Sequence, residues 1–86
     1  MELNALIVGY GRAGKRHARI LSELGITWFP VEPDPGQLKN KTMFFENLTE
    51  ALKSQIKWDF VIICTPPDLH LEQIEMCLSE IGRAHV

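Results

Sequence analysis

Several large classes of protein are excluded by what this chain lacks. Only two of its 86 residues are cysteine, Cys64 in an apolar strand-like run and Cys77 in a helix-like run. They have neither the density of a disulfide scaffold nor metal-ligand spacing, and both read as buried thiols. The three histidines, His17, His70 and His85, are scattered, which speaks against a metal site. No apolar run approaches the roughly 18 residues of a membrane span, and the N-terminus lacks the basic-then-apolar order of a secretion signal. A surplus of positive charge is missing too: nine lysines and arginines face eleven acidic residues, for a formal net charge of -2. Nucleic acid is therefore not the expected partner, and a cytoplasmic setting with no membrane attachment is.

What is present is ordinary for a globular domain, 45% hydrophobic and 23% charged. At this length the chain is one small domain that buries roughly 60–65% of its unfolded surface, so marginal stability is expected. Leu3 to Val8 is short, mostly apolar and ends at glycine, as expected of a strand buried on both faces of a parallel sheet. The positions Ala13, His17, Ile20, Leu21 and Leu24 recur at helical spacing, and Gly25 follows where a left-handed C-cap belongs. On that stripe His17 is expected to be a satisfied core or interface residue. Thr27 to Val31 is aromatic and β-branched and predicts a second strand, short or bulged at Pro30, which lacks a ladder donor. Pro33-Asp34-Pro35-Gly36 predicts a turn, and Met43-Phe44-Phe45 a short third strand. Asn47-Leu48-Thr49-Glu50 has the form of a capping box opening a short helix to about Ser54. Asp59 to Cys64 is the cleanest buried strand, Thr65-Pro66-Pro67 ends it, and a helix from Asp68 carries Leu71, Ile74, Met76, Cys77 and Leu78. This alternation predicts an α/β fold: a partial doubly wound Rossmann domain, with a parallel sheet of about four strands and helices on both faces.

Chemistry concentrates in the first turn. Gly9-Tyr10-Gly11-Arg12-Ala13-Gly14 leaves a strand and enters a helix, where a dinucleotide phosphate is cradled. Gly9 permits the tight turn, Gly11 lets the backbone approach a pyrophosphate, and Gly14 lets the helix pack closely on the strand. Free N–H groups at the helix start, with the helix dipole behind them, face the phosphates. Glu32 lies eighteen positions beyond Gly14, close to the spacing of a ribose-binding carboxylate. A carboxylate there accepts from a ribose diol and repels a 2′-phosphate, which favours NAD and leaves NADP as the second choice. Arg12, in the loop, can reach a phosphate; Lys15, Arg16 and Arg19 also read as a solvated helix face. Thr65-Pro66-Pro67-Asp68-Leu69-His70 ends a strand at the carboxyl edge of the sheet, where open α/β sheets bind ligands. His70 there reads equally as ligand-facing or as a capping and packing residue.

With those residues in place the chain resembles the nucleotide-binding half of the Gfo/Idh/MocA oxidoreductase family, through most of residues 3–79. Gly9-x-Gly11-x-x-Gly14-x-x-His17 is similar to its extended glycine motif, Val31-Glu32-Pro33-Asp34-Pro35 to its acidic segment, and Asp59 through His70 to its strand with Thr-Pro-Pro-x-x-His. The resemblance implies a parent dehydrogenase, a candidate homo-oligomer. It would move a hydride between a nicotinamide cofactor and a hydroxyl- or amine-bearing carbon of a sugar, cyclitol or similar small-molecule substrate. Carried over, Gly9, Gly11, Arg12, Ala13 and Gly14 contact the pyrophosphate, Glu32 the adenosine ribose, and Thr65, Pro66 and His70 line the cofactor cleft. The family's later Glu-Lys-Pro segment and catalytic domain do not occur in these residues, so the chain by itself is expected to be inactive.

Residues 1–80 are thus expected to be the N-terminal part of an NAD(P)-binding Rossmann domain. The tail, residues 81–86, is expected to be non-native: ATC GGA AGA GCA CAC GTC, which encodes Ile-Gly-Arg-Ala-His-Val, opens a common sequencing adapter. With the sheet cut short there, an expressed fragment is expected to be insoluble or molten. Two other readings use the same loop. A regulatory domain would sense NAD or an adenine nucleotide without chemistry. A methyl-transferring enzyme would use an adenosylated cofactor, but S-adenosylmethionine has no pyrophosphate for Gly11 to accommodate.

Overall fold

The computed structural model of the chain describes residues 3–33, 44–54 and 56–80. Elements alternate along it: β1 (Asn4–Val8), α1 (Arg12–Glu23), β2 (Thr27–Val31), α2 (Leu48–Lys53), β3 (Phe60–Ile63) and α3 (Pro67–Glu80). The strands form one parallel sheet in the order β2-β1-β3. β1 is central and its apolar residues Ala5, Leu6, Ile7 and Val8 are all buried, as a strand covered on both faces requires. Its side chains alternate: Ala5 and Ile7 pack with Ala18 and Leu21 of α1, while Leu6 and Val8 pack with Leu48, Ala51, Trp58, Val61, Ile63 and Cys77. The expected α/β class with helices on both faces is therefore what the chain forms. No helix among the described residues is long and apolar enough to cross a membrane.

Three local expectations are revised. β2 is neither short nor bulged, because its register with β1 runs unbroken from Asn4 opposite Thr27 to Val8 opposite Val31. The Pro30 carbonyl accepts from Phe45 N–H at 2.9 Å, so the proline's missing donor faces away from β1 and costs that ladder nothing. Phe45 makes one parallel bridge to Val31, and Glu32 N–H donates to its carbonyl at 2.9 Å. The sheet thus has three strands among the described residues plus this bridge where the short third strand was expected. Met43 and the turn from Asp34 to Gly36 lie outside them, as does the tail from Ile81.

The buried stripe of α1 is displaced from the apolar one. Gly14, Ala18 and Leu21 are buried, whereas Ile20 and Leu24 are 44% and 67% exposed and His17 is half-buried. Small residues win the inward face because the helix must lie close to the sheet. Its end is as expected: Gly25 takes φ +74°, its N–H donates to Ser22 and that of Ile26 to Leu21, which satisfies two terminal carbonyls in a Schellman arrangement. Asn47 caps α2 through Oδ1, which accepts from Glu50 N–H at 2.8 Å. α3 starts one residue earlier than expected, at Pro67, whose fixed φ and absent N–H suit a first helical position.

Candidate functional site

A cleft of about 560 Å³ opens at the carboxyl edge of the sheet. Its floor is the glycine turn between β1 and α1, and its walls are the ends of β2 and β3, the start of α2 and the first turns of α3. Gly9, Gly11, Glu32, Thr65 and Pro66 line it together. These come from three strand ends, which chain order alone keeps far apart.

Two glycines make the turn possible. Gly9 has φ +92°, and a Cβ there would lie 3.0 Å from the Thr65 methyl and 3.2 Å from the Cys64 carbonyl. A Cβ on Gly14 would come within 2.1 Å of the Gly9 carbonyl oxygen. No rotamer change relieves that clash, because the obstacle is backbone. The result is a helix whose first turn is drawn against the end of β1. Gly11 is its N-cap, no side chain caps it, and no acidic residue occupies the first turn. The N–H groups of that turn, those of Arg12, Ala13 and Gly14, have no acceptor within the helix and form the positive end of its dipole.

The region fits a pyrophosphate on its own geometry. Its own chain neighbours aside, no atom of the described residues lies within 4 Å of where a Gly11 Cβ would stand, so the space above Gly11 is open cleft. Arg12, Ala13 and Gly14, also expected at the pyrophosphate, follow Gly11 in the first turn of α1 but are not among the lining residues; Arg12 is exposed. The Tyr10 N–H donates to Glu32 Oε1 at 3.1 Å, which ties the carboxylate at the end of β2 to the turn. Sequence spacing brought Glu32 to the correct strand end; this bond to Tyr10 could not be read from it. The Tyr10 ring stacks on Trp28 with centroids 5.6 Å apart, and Lys15 Nζ lies 5.8 Å from its centre. Burial pushes the Tyr10 hydroxyl up from its ordinary pKa.

The far wall is organised around Thr65. Its hydroxyl donates to Gln73 Oε1, and its carbonyl accepts from His70 Nε2. Of the residues expected here, Thr65 and Pro66 line the cleft, while His70 stands behind Thr65 and is not among the lining residues. Tyr10, Leu69 and Gln73 line it without having been singled out. Gln73 has a signal available in retrospect: it lies three residues after His70, on the same face of α3. Cys64 is half-buried rather than buried and borders the cleft. Burial raises its thiol pKa, and the Arg16 guanidinium partly offsets the rise.

Compared with curated proteins and with solved structures, the chain gave no match in either set. A family model described as "Oxidoreductase family, NAD-binding Rossmann fold" matches residues 3–86. A central parallel strand, a glycine turn closed against its helix and a carboxylate tied to that turn are what such a domain requires, and the chain belongs to this family, Gfo/Idh/MocA.

Proposed function

We propose that residues 1–80 are the nucleotide-binding N-terminal part of a dehydrogenase that moves a hydride between NAD and a hydroxyl- or amine-bearing carbon of a sugar, cyclitol or similar small molecule. The observation that carries this reading is the tied turn: Gly11, the uncapped N-cap of α1, lines the cleft where a pyrophosphate would lie, and the Glu32 carboxylate is tied to the same turn for a ribose diol. In this reading Gly9, Gly11, Arg12, Ala13 and Gly14 surround the pyrophosphate, and Glu32 accepts from the adenosine ribose. Thr65 and Pro66 form the wall, and His70 supports it through the Thr65 carbonyl. The nicotinamide supplies the hydride chemistry when bound; this chain's residues bind it and orient it.

In this reading the acid–base work is done by other sequence of the parent enzyme, and the 86-residue chain by itself does not turn over substrate. Reading the source DNA across the codons for Leu78 to Val86 tests that division, since a frame continuing into Glu-Lys-Pro identifies the parent. On that parent, titration with NADH and NADPH tests the ligand. NADH is expected to bind about tenfold or more tightly, and Glu32→Ser to erase most of the difference by removing the repulsion of the 2′-phosphate. Equal affinities in the unaltered protein would remove Glu32 as the discriminator.

A further inference from the structure

Two side chains on one face of α3 close on a single residue. His70 Nε2 donates to the Thr65 carbonyl, and the Thr65 hydroxyl donates to Gln73 Oε1. Positions three apart on a helix are neighbours, so α3 grips Thr65 by main chain and side chain at once. The Thr65 hydroxyl meets Gln73 at its carboxamide oxygen. That oxygen is engaged, and the amide nitrogen carries two donors. That Nε2 makes no hydrogen bond among the described residues, and none of their buried side-chain nitrogens lacks a partner. The Gln73 amide nitrogen is therefore not fully buried. Gln73 lines the cleft with Gly9, Gly11 and Thr65, and the Thr65 methyl abuts Gly9. The donor thus stands beside the glycine turn, on the side opposite the start of α1.

We propose that Gln73 is a ligand-contact residue, its Nε2 donating to a phosphate oxygen of the dinucleotide while its Oε1 holds Thr65 in place. The proposal rests on the functional reading above. It closes the anion site from two sides: main-chain N–H groups of α1 on one, a neutral side-chain donor from α3 on the other. A carboxamide suits that place because it donates to an anion and accepts from Thr65 with the same group, which neither lysine nor glutamate does.

The experiment is calorimetric titration of the full-length parent with NADH, in wild type, Gln73→Glu and Gln73→Leu. Glutamate keeps an oxygen for Thr65 but replaces the donor with a negative charge; leucine removes both functions. Gln73→Glu is expected to weaken NADH binding by at least about tenfold and Gln73→Leu by roughly three- to tenfold, the order that a repulsion at phosphate requires. The melting temperature of Gln73→Glu is expected to stay within about 2 °C of wild type. A Gln73→Glu protein that binds NADH as wild type does, or two variants weakened equally with matching losses of melting temperature, overturns the proposal. Wild type that binds no dinucleotide overturns the functional reading and this inference with it.

Discussion

On the α1 side of the sheet the helix presents Gly14, Ala18 and Leu21 to Ala5 and Ile7, with Tyr10, Trp28, Phe60 and Ile62 partly buried around them, whereas on the other side Phe29, Phe45 and Trp58 meet edge to face or tilted, with centroids 5.4 to 6.4 Å apart. The face of α1 at Gly14 and Ala18 is built for approach, and the ring cluster opposite for volume. Small side chains bring the start of α1 against β1 and so set its N-cap, Gly11, at the cleft. Large ones anchor α2 and α3 over Leu6, Val8 and Val61. Ligand geometry and stability are consequently held by different residues, and they fail in different ways: the first by adding atoms, the second by removing them.

The largest expected effect is on the aromatic side. Trp58 is 5% exposed, stands edge-on to both Phe29 and Phe45, and donates Nε1 to the Ala51 carbonyl at 3.1 Å. Trp58→Ala is expected to cost about 3–5 kcal/mol, most of the folding surplus of a small domain. Chemical denaturation measures it. If the two sides are separate, NADH affinity of the fraction that remains folded is nearly unchanged.

Gly14→Ala is the converse. One methyl group placed 2.1 Å from the Gly9 carbonyl oxygen forces helix and turn apart, an overpacking that costs about 1–3 kcal/mol. Its main consequence is loss of dinucleotide binding, expected to exceed about a hundredfold because the helix-start donors are displaced from the phosphates. A Gly14→Ala protein that bound NADH normally would show that close approach is not what positions the site.

How much of this could be read from the chain follows the same division. The glycine turn was legible because its demands are local, a positive φ at Gly9 and missing side-chain volume at Gly14. The Asn47 cap of α2 was legible for the same reason, although of the expected capping box only its Asn47 half is formed among the described residues. The inward face of α1 was not, since hydropathy ranks Ile20 and Leu24 above Gly14 and Ala18, while close packing selects for size. Pro30 misled in the other direction: a missing donor disturbs a strand only on the side its carbonyl faces, and that side is set by register, not composition. The bonds of Tyr10 to Glu32 and of Thr65 to Gln73 depend on how strand ends meet, which spacing along one chain does not encode.

A smaller effect is expected at the start of α2, which borders the cleft from the aromatic side. Asn47→Ala removes the Oδ1 acceptor of Glu50 N–H and is expected to cost about 1 kcal/mol. Because Asn47 and Leu48 also line the cleft, fraying of this helix is expected to loosen the wall beside Glu32. Hydrogen exchange at Glu50 and Ala51 reads the fraying directly. Unchanged protection there would show that Leu48 and Ala51, buried against the core, hold the helix without its cap.

The smallest effect compares the two sides through their thiols. Cys77 is buried within the aromatic cluster and Cys64 packs at the α1 side, and burial raises the pKa of both. A thiol whose folded pKa lies above its unfolded one binds more protons in the folded state at alkaline pH. The stability it contributes is fully present below the ordinary thiol value of about 8.5 and is lost as pH rises through the folded value. At Cys64 the Arg16 guanidinium works against burial and stabilises the thiolate, yet the net direction is still upward. Melting temperatures taken between about pH 7 and 10 should therefore fall less steeply in Cys77→Ala and in Cys64→Ala than in wild type. The slope is the readout, because truncating a buried residue lowers stability at every pH. An Arg16→Gln change, which removes the opposing charge, should steepen the fall; an unchanged slope in all three variants would show that neither thiol couples to folding.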